Sequence, residues 1–341
     1  MALDPGIIFI GDLVAIFSVY LIINLSLNLE FGFGGVPNFG KVLAVAGGAF
    51  VMGTIPFMVF GMLVDYGGLE PVDDNIMLVH QINAYIEVHP ESVLGVFAIT
   101  LIVAVIVGGL LGLASAYPAI RLRGDYLAIT LLGFGEIIRI VGVNHTSLVG
   151  GTLGISLPDM LAFVPNEFRF LTASFVLLAF AGVIYLLVAR FTKSPVGRLL
   201  RATRDDDLAL QTLGRDPVKI KFKVMMLAGM LGAVGGVMYA SYVEGVVAFG
   251  YDRLNWTFLP FVMIIVGGMA NNKGVIVGTL LFVAIRKLVI YYNDSLDGLL
   301  PFDIIWLDYL ALGGLMILVL IFRPHGIIPE RPQKTESLEK G

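Results

Sequence analysis

The string Gly35-Val36-Pro37-Asn38-Phe39-Gly40-Lys41-Val42 comes within one residue of a phosphate-binding loop. In such a loop glycines let backbone amides cradle a phosphate, the Lys reaches its oxygens, and a following Ser or Thr holds magnesium. Val42 offers no hydroxyl, and an apolar run of helix length precedes the glycines where a strand should stand. Hydrolysis of ATP by this chain itself is therefore not expected. His80, His89, His145 and His325 are scattered, none at metal-ligand spacing from another, so no metal site is expected. No Ser, His and Asp set can be assembled for nucleophilic catalysis either. Glu136 and Arg139 are more informative, because they lie three apart, on one face of a helix, inside an apolar stretch. Two readings stay open: an ion pair that locks helices together, or the lining of a polar path to which Asp125 and Gly135 of the same stretch would belong. Glu244 and Arg286 lie nearer the ends of their apolar runs.

Stepping outward from those residues, the elements that hold them are overwhelmingly apolar. Of 341 residues 57% are hydrophobic and only 14% charged, with a mean hydropathy of +0.90. No soluble core needs that much apolar surface. The hydrophobic residues come in runs: Ile7 to Leu29, Val42 to Leu63, Val93 to Tyr117, Phe170 to Ala189, Val218 to Tyr242 and Ile304 to Phe322. Each is close to the ~20 residues that a helix needs to cross a ~30 Å hydrocarbon core. Cysteine is absent, which removes disulfides and thiolate ligands. The start Met1-Ala2-Leu3-Asp4 has no basic region, so a secretory signal is not expected. The fold class expected is all-α, a polytopic bundle of about eight to ten transmembrane helices in the lipid bilayer. Neither a cofactor nor a nucleic-acid partner is expected.

Net charge, −4, matters less than where the basic residues fall. Lys193, Arg198, Arg201, Arg204, Arg215, Lys219, Lys221 and Lys223 crowd one segment, which belongs in the cytoplasm by the positive-inside rule. Alternation then puts Lys41, Arg121, Arg123, Lys273 and the tail with Arg323, Arg331, Lys334 and Lys340 inside. The loop from Asp65 to Ser92, acidic and without Lys or Arg, and the loop from Asn293 to Asp303 fall outside. Roughly nine crossings of the cell (cytoplasmic or inner) membrane satisfy this, with the N-terminus outside and the C-terminus in the cytoplasm. A transmembrane domain is expected over 1–323, with a cytoplasmic segment at 192–218, and a tail over 324–341.

Two crossings read as short or broken: Asp125 to Val143, with Gly133 and Gly135, and Phe258 to Met269, with Pro260, Gly267 and Gly268. The glycine-rich stretch Glu30 to Gly40 reads as irregular backbone buried among helices. Small residues recur every fourth position at Ala104, Gly108, Gly112 and Ala116, and again at Ala228, Gly232, Gly236 and Ala240. Such ladders let helices pack closely where lipid gives no hydrophobic reason to associate.

The basic segment itself has helix signals. Ser194 is a capping residue, Pro195 suits a first turn, and Gly214 ends a short surface helix before Asp216-Pro217 restarts one that enters the membrane. It is either a solvated basic loop or a rigid docking helix that transmits force from a cytoplasmic partner.

Strings along nearly the whole chain favour the second reading. Asn24-Leu25-Ser26-Leu27-Asn28-Leu29, Arg121-Leu122-Arg123-Gly124-Asp125-Tyr126-Leu127-Ala128-Ile129-Thr130 and Gly133-Phe134-Gly135-Glu136-Ile137-Ile138-Arg139 come first. Ser194-Pro195-Val196-Gly197-Arg198 with Arg201-Ala202, Val266-Gly267-Gly268-Met269 and Phe322-Arg323-Pro324-His325-Gly326 follow in order. In these the chain resembles the LivM-like permeases of branched-chain amino-acid ABC importers. The resemblance implies a non-catalytic transport subunit that opens alternately to the two sides of the membrane. It implies as partners a second, homologous permease, two ATPase subunits and an external solute-binding protein. It assigns ATPase coupling to Gly197, Arg198, Arg201, Asp207, Ala209 and Gly214, although Asp207 stands where the family usually has Glu and Leu210 where it has a small Ala. The solutes implied are leucine, isoleucine and valine, with urea, amides and other amino acids as alternatives. An ion-coupled secondary transporter, using a carboxylate such as Glu136, is the competing function.

Overall fold

The computed structural model describes residues 4–122, 124–292 and 305–330. Arg123, the stretch 293–304 with the expected outer loop, and Arg331, Lys334 and Lys340 of the tail lie outside the described residues. Helix α1 (Pro5–Leu27) begins where the Asp4 carboxylate accepts the Gly6 amide and Pro5 occupies the first turn. It widens into a π-helical turn, Asn28–Phe33, and the chain then passes through a mostly buried irregular stretch to α2 (Lys41–Phe60). The buried irregular backbone expected there is present.

A short helix, α3 (Asn75–Val88), lies in the segment read as an outer loop. Leu78, Ile82 and Ile86, four apart, form its buried stripe. It precedes α4 (Pro90–Arg121), 32 residues long, and α5 (Gly124–Asn144). Contrary to the expectation of a break, α5 is one continuous helix of 21 residues; Gly135 packs against Val42 of α2, and a Cβ on Gly133 would meet nothing. After the single turn α6 (Thr146–Val149) and an extended pair joining Ile155–Ser156 to Gly245–Val246, α7 (Asn166–Lys193) runs back. Two short helices, α8 (Pro195–Asp205) and α9 (Asp207–Thr212), lead into α10 (Pro217–Val243).

The expected broken crossing is found at Leu254–Gly267. A π-helical turn, Leu254–Phe258, feeds α11 (Leu259–Gly267), and Gly268 at φ 120° ends it. Helices α12 (Asn272–Tyr291) and α13 (Ile305–Phe322) complete the described elements. Among the described residues, seven helices are long and apolar enough to cross a membrane. Lys287 of α12 pairs with Asp12 of α1 at one end of the bundle, while Glu330, beyond α13, pairs with Arg201 and Arg204 at the other. The two ends of the described chain thus lie at opposite ends of the bundle.

Helix α10 sits at the centre, between α2 and α4. Its two neighbouring rows of small residues serve two partners. Gly229 and Ala233 meet Gly108 and Gly112 of α4, while Gly232 and Gly236 meet α2. A Cβ on Gly236 would run into the Val45 carbonyl oxygen, and one on Gly48 into that of Ala233. This is close backbone packing of the kind that holds helices together in lipid.

Candidate functional site

Helices α8 and α9 form one polar end of the bundle. The Ser194 hydroxyl accepts the Gly197 amide at 3.4 Å, and Gly197 is pressed so closely on the Thr192 carbonyl that a Cβ would collide with it. Leu200 and Thr203 form the buried face of α8. The segment is two helices and not the single one expected before Gly214. Asp206 is extended, and its carboxylate accepts the amides of Leu208 and Ala209 at 2.8 and 3.2 Å, so it caps a new helix and breaks the old one. Gly214 then turns at φ 72°, and Asp216 caps α10 through the amides of Val218 and Lys219. The bond from the Lys219 backbone, with others beside it, holds the Asp216 carboxyl below the usual carboxylate range.

The residues assigned to coupling separate into two sets. Arg198, Ala209 and Gly214 are exposed, together with Leu208 and Leu213, which keep 72% and 77% of their surface. Gly197, Arg201 and Asp207 face the protein. Asp207 pairs with Lys221 of α10. The Arg201 guanidinium lies over the Phe33 ring, 4.8 Å from its centroid, and donates from Nε to Glu330 Oε1 at 3.0 Å.

Behind α8 the near phosphate-binding string has a different use. Lys41, expected as an inside loop charge, is fully buried at the start of α2. Its Nζ donates to Ser26 Oγ, to the Ala228 carbonyl at 3.1 Å and to Glu30 Oε1 at 3.4 Å. Glu30 is buried too, within the π-helical turn. Arg204 of α8 donates to the carbonyl of Gly32 in that same turn at 2.7 Å. Sequence spacing gave no warning of the Lys41–Glu30 pair, since its members belong to different helices and carry no shared period.

Helix α5 holds the other candidates. Asp125 is exposed in its first turn, and Glu136 stands 11 residues further on, about 16 Å along the axis, so the two are not brought together. Gly135 is buried against Val42 and acts as a packing contact. Glu136 and Arg139 do pair, through Arg139 Nε to Oε1 at 2.8 Å and a second bond from Nη2. Arg253 Nε approaches Glu136 Oε2 at 3.8 Å, and Arg139 lies over the Phe249 ring. The pair therefore ties α5 to the segment before α11, as an ion lock would. The side chains nevertheless keep 28% and 29% of their surface, on a helix whose Tyr126, Ile129, Ile137 and Ile140 also point outward. Glu244 caps α10 at φ 52°, where burial raises its carboxyl above the usual range, and Arg286 reaches Asn255 Oδ1 at 3.3 Å.

Residues 9–320 match the family described as branched-chain amino acid transport system / permease component. The chain belongs to this permease family. It is 37% identical to a probable branched-chain amino acid transport permease protein LivM of Methanocaldococcus jannaschii, over 95% of this chain and 94% of that one. It is 27% identical to the high-affinity LivM permease protein of Escherichia coli, over 94% of this chain and 71% of the relative. A probable LivH permease protein of M. jannaschii is 28% identical over 60% of each chain. No solved structure matches. With its apolar helices, family membership makes this permease a multi-pass membrane protein.

Proposed function

We propose that the permease is one of two membrane subunits of an ATP-driven importer for branched-chain amino acids, with its N-terminus outside and its C-terminus in the cytoplasm. Partner ATPases dock on α8 and α9, an external binding protein delivers the solute, and the chain itself does no chemistry on it. The observation that carries this reading is the two-sided character of α8 and α9. Arg201, Arg204 and Asp207 brace one side on the bundle, while Leu208 and Leu213 stand exposed among charges on the other. Such an apolar patch with a polar rim on a braced support suits a protein interface.

Helix α5 supports the pairing with a second permease. A charged pair at membrane depth that is nearly a third open cannot face lipid without cost, so its open side belongs against protein or a water-filled path. The LivH relative, similar to this chain and a permease itself, is the kind of partner that fits. Leucine, isoleucine and valine follow from the names of the relatives.

The test is to reconstitute the permease with its partners and replace Leu208 and Leu213 by Ser. The ATPases should then fail to copurify while the chain still inserts. Accumulation of solute by this chain alone, driven by an ion gradient, would establish a secondary transporter instead.

A further inference from the structure

The segment that follows α13 is built into the bundle. The Ile327 and Ile328 amides donate to the carbonyls of Val266 and Gly267, both at 2.9 Å. These carbonyls belong to the last turn of α11, where no intrahelical donor remains for them. Asn271, which caps α12, donates from Nδ2 to the carbonyls of Ile328 and Pro329 at 3.2 and 2.9 Å. Gly268 and Gly326, at φ 120° and 81°, let the two backbones touch: a Cβ on Gly268 would strike the Ile328 carbonyl oxygen. Residues 326–330 therefore form a strap laid across the break between α11 and α12.

At its end the strap reaches α8. Glu330 gives one carboxylate oxygen to each of two arginines one helical turn apart: Oε1 to Arg201 Nε at 3.0 Å and Oε2 to Arg204 Nη2 at 2.9 Å. A carboxylate shared between two guanidinium groups is held in both position and orientation, which a single exposed ion pair is not. Arg204 also holds the Gly32 carbonyl, and Asn28 of the same π-helical turn accepts the Ala270 amide at 3.0 Å. Three irregular points of backbone thus converge beneath α8: the π-helical turn after α1, the α11–α12 break, and the corner between α7 and α8, where Thr192 accepts from Asn272. Irregular backbone is where a helical bundle changes shape, because packed helix interiors do not deform continuously.

We propose that Glu330 is a positioning residue for transport, joining α8 through the 326–330 strap to the α11–α12 break so that displacement of α8 moves that break with it. The inference rests on the reading that ATPases dock on α8 and α9, but it assigns Glu330 a part in transmission and none in docking. Loss of the strap should leave the ATPases bound and hydrolysing while less solute moves for each ATP spent.

The experiment uses the complete complex in liposomes and compares wild type with Glu330→Gln and Glu330→Ala. Copurified ATPase, ATP hydrolysis and solute uptake are measured on the same samples. The solute moved per ATP should fall by about fivefold or more, the low end of ordinary coupling between sites, with ATPase recovered in wild-type amount. Because the chain has no cysteine, a Glu330→Cys, Arg201→Cys protein can be bridged by a short reducible dithiol-reactive linker spanning the former ion pair. Uptake per ATP should recover on bridging and fall again on reduction, a reversal that a mere folding role would not give. An unchanged ratio in Glu330→Ala, or a low ratio that bridging leaves low, overturns the proposal. So does loss of the ATPases or of the folded chain in both Glu330 variants, which would make the residue a docking or folding element. If the Leu208→Ser, Leu213→Ser protein keeps its ATPases, the docking reading itself has failed, whatever Glu330 does.

Discussion

Helices α2 and α5 are almost the same length, 20 and 21 residues, and both are apolar enough to span a membrane, yet over an apolar stretch of 18 residues in each, 78% of the first is buried and 22% of the second. Both contain glycines. The difference is what those glycines meet. Gly48 of α2 lies against the Ala233 backbone of α10, whereas Gly133 of α5 faces open space and only Gly135 and Gly142 touch neighbours. In lipid, apolarity does not sort helices into inner and outer ones, since hydrocarbon surrounds them all; close backbone approach does. What α5 carries on its open side is also different in kind, a charged pair partly open, where the charged Lys41 of α2 is fully enclosed.

The largest effect expected breaks the buried side of this comparison. Gly236→Leu would drive a branched side chain into the Val45 carbonyl and the Ala49 amide of α2. Overpacking a side chain typically costs about 1 to 3 kcal/mol, and here rigid backbone takes the clash, so the upper end or beyond is expected. Yield and thermal stability of the purified chain should collapse. Gly133→Leu, on the open face of α5, should leave both unchanged; equal damage from the two would erase the distinction between the helices.

Next comes Gly214→Val. The position has no neighbour within reach of a Cβ, so the whole effect is backbone strain at φ 72°, about 1 to 3 kcal/mol for a β-branched residue. The spans should insert normally. Copurification of ATPases and solute-stimulated hydrolysis should drop, because α9 is re-aimed against α10; wild-type values for both would reduce α8 and α9 to a solvated loop.

Glu136→Gln should act more weakly on stability. Its pair with Arg139 is more than a quarter open, so where a water-filled path reaches that side roughly 1 kcal/mol is expected, against the ~3 to 5 that a fully buried pair would cost. Normal recovery of the complex with reduced uptake would place this face on the solute path, whereas poor recovery with normal uptake per complex would leave it a helix lock.

Labelling costs the protein least and sharpens the frame on which the rest stands. Cysteines at Asp73 and at Arg215, both exposed, should react with an impermeant reagent from outside and only after the membrane is opened, respectively. Thr203, although in the same basic segment, is buried on the inner face of α8 and would be silent from either side. The reverse pattern would overturn the proposed orientation.

Much of this was legible without coordinates, and the reason is the solvent. A bilayer demands long apolar helices, so spans, small-residue ladders and the broken pass at Gly267-Gly268 all leave marks on one continuous stretch of chain. The Glu136 and Arg139 pair is legible for the same reason, being one helical turn apart. Other features are written in no single stretch. The seat of Gly135 against Val42 joins residues from two different helices that are far apart in sequence but in contact in space. That Lys41 is enclosed by Ser26, Glu30 and Ala228, and that Arg201 and Arg204 turn inward to Glu330, depends on four helices and a strap arriving at one place. Composition and local period determined that the chain is a membrane bundle with a basic, helical segment between two of its spans. Which charges are spent inside it and which remain for a partner was decided by tertiary packing, because an ion pair forms where distance and dielectric allow and neither quantity is carried by the order of residues.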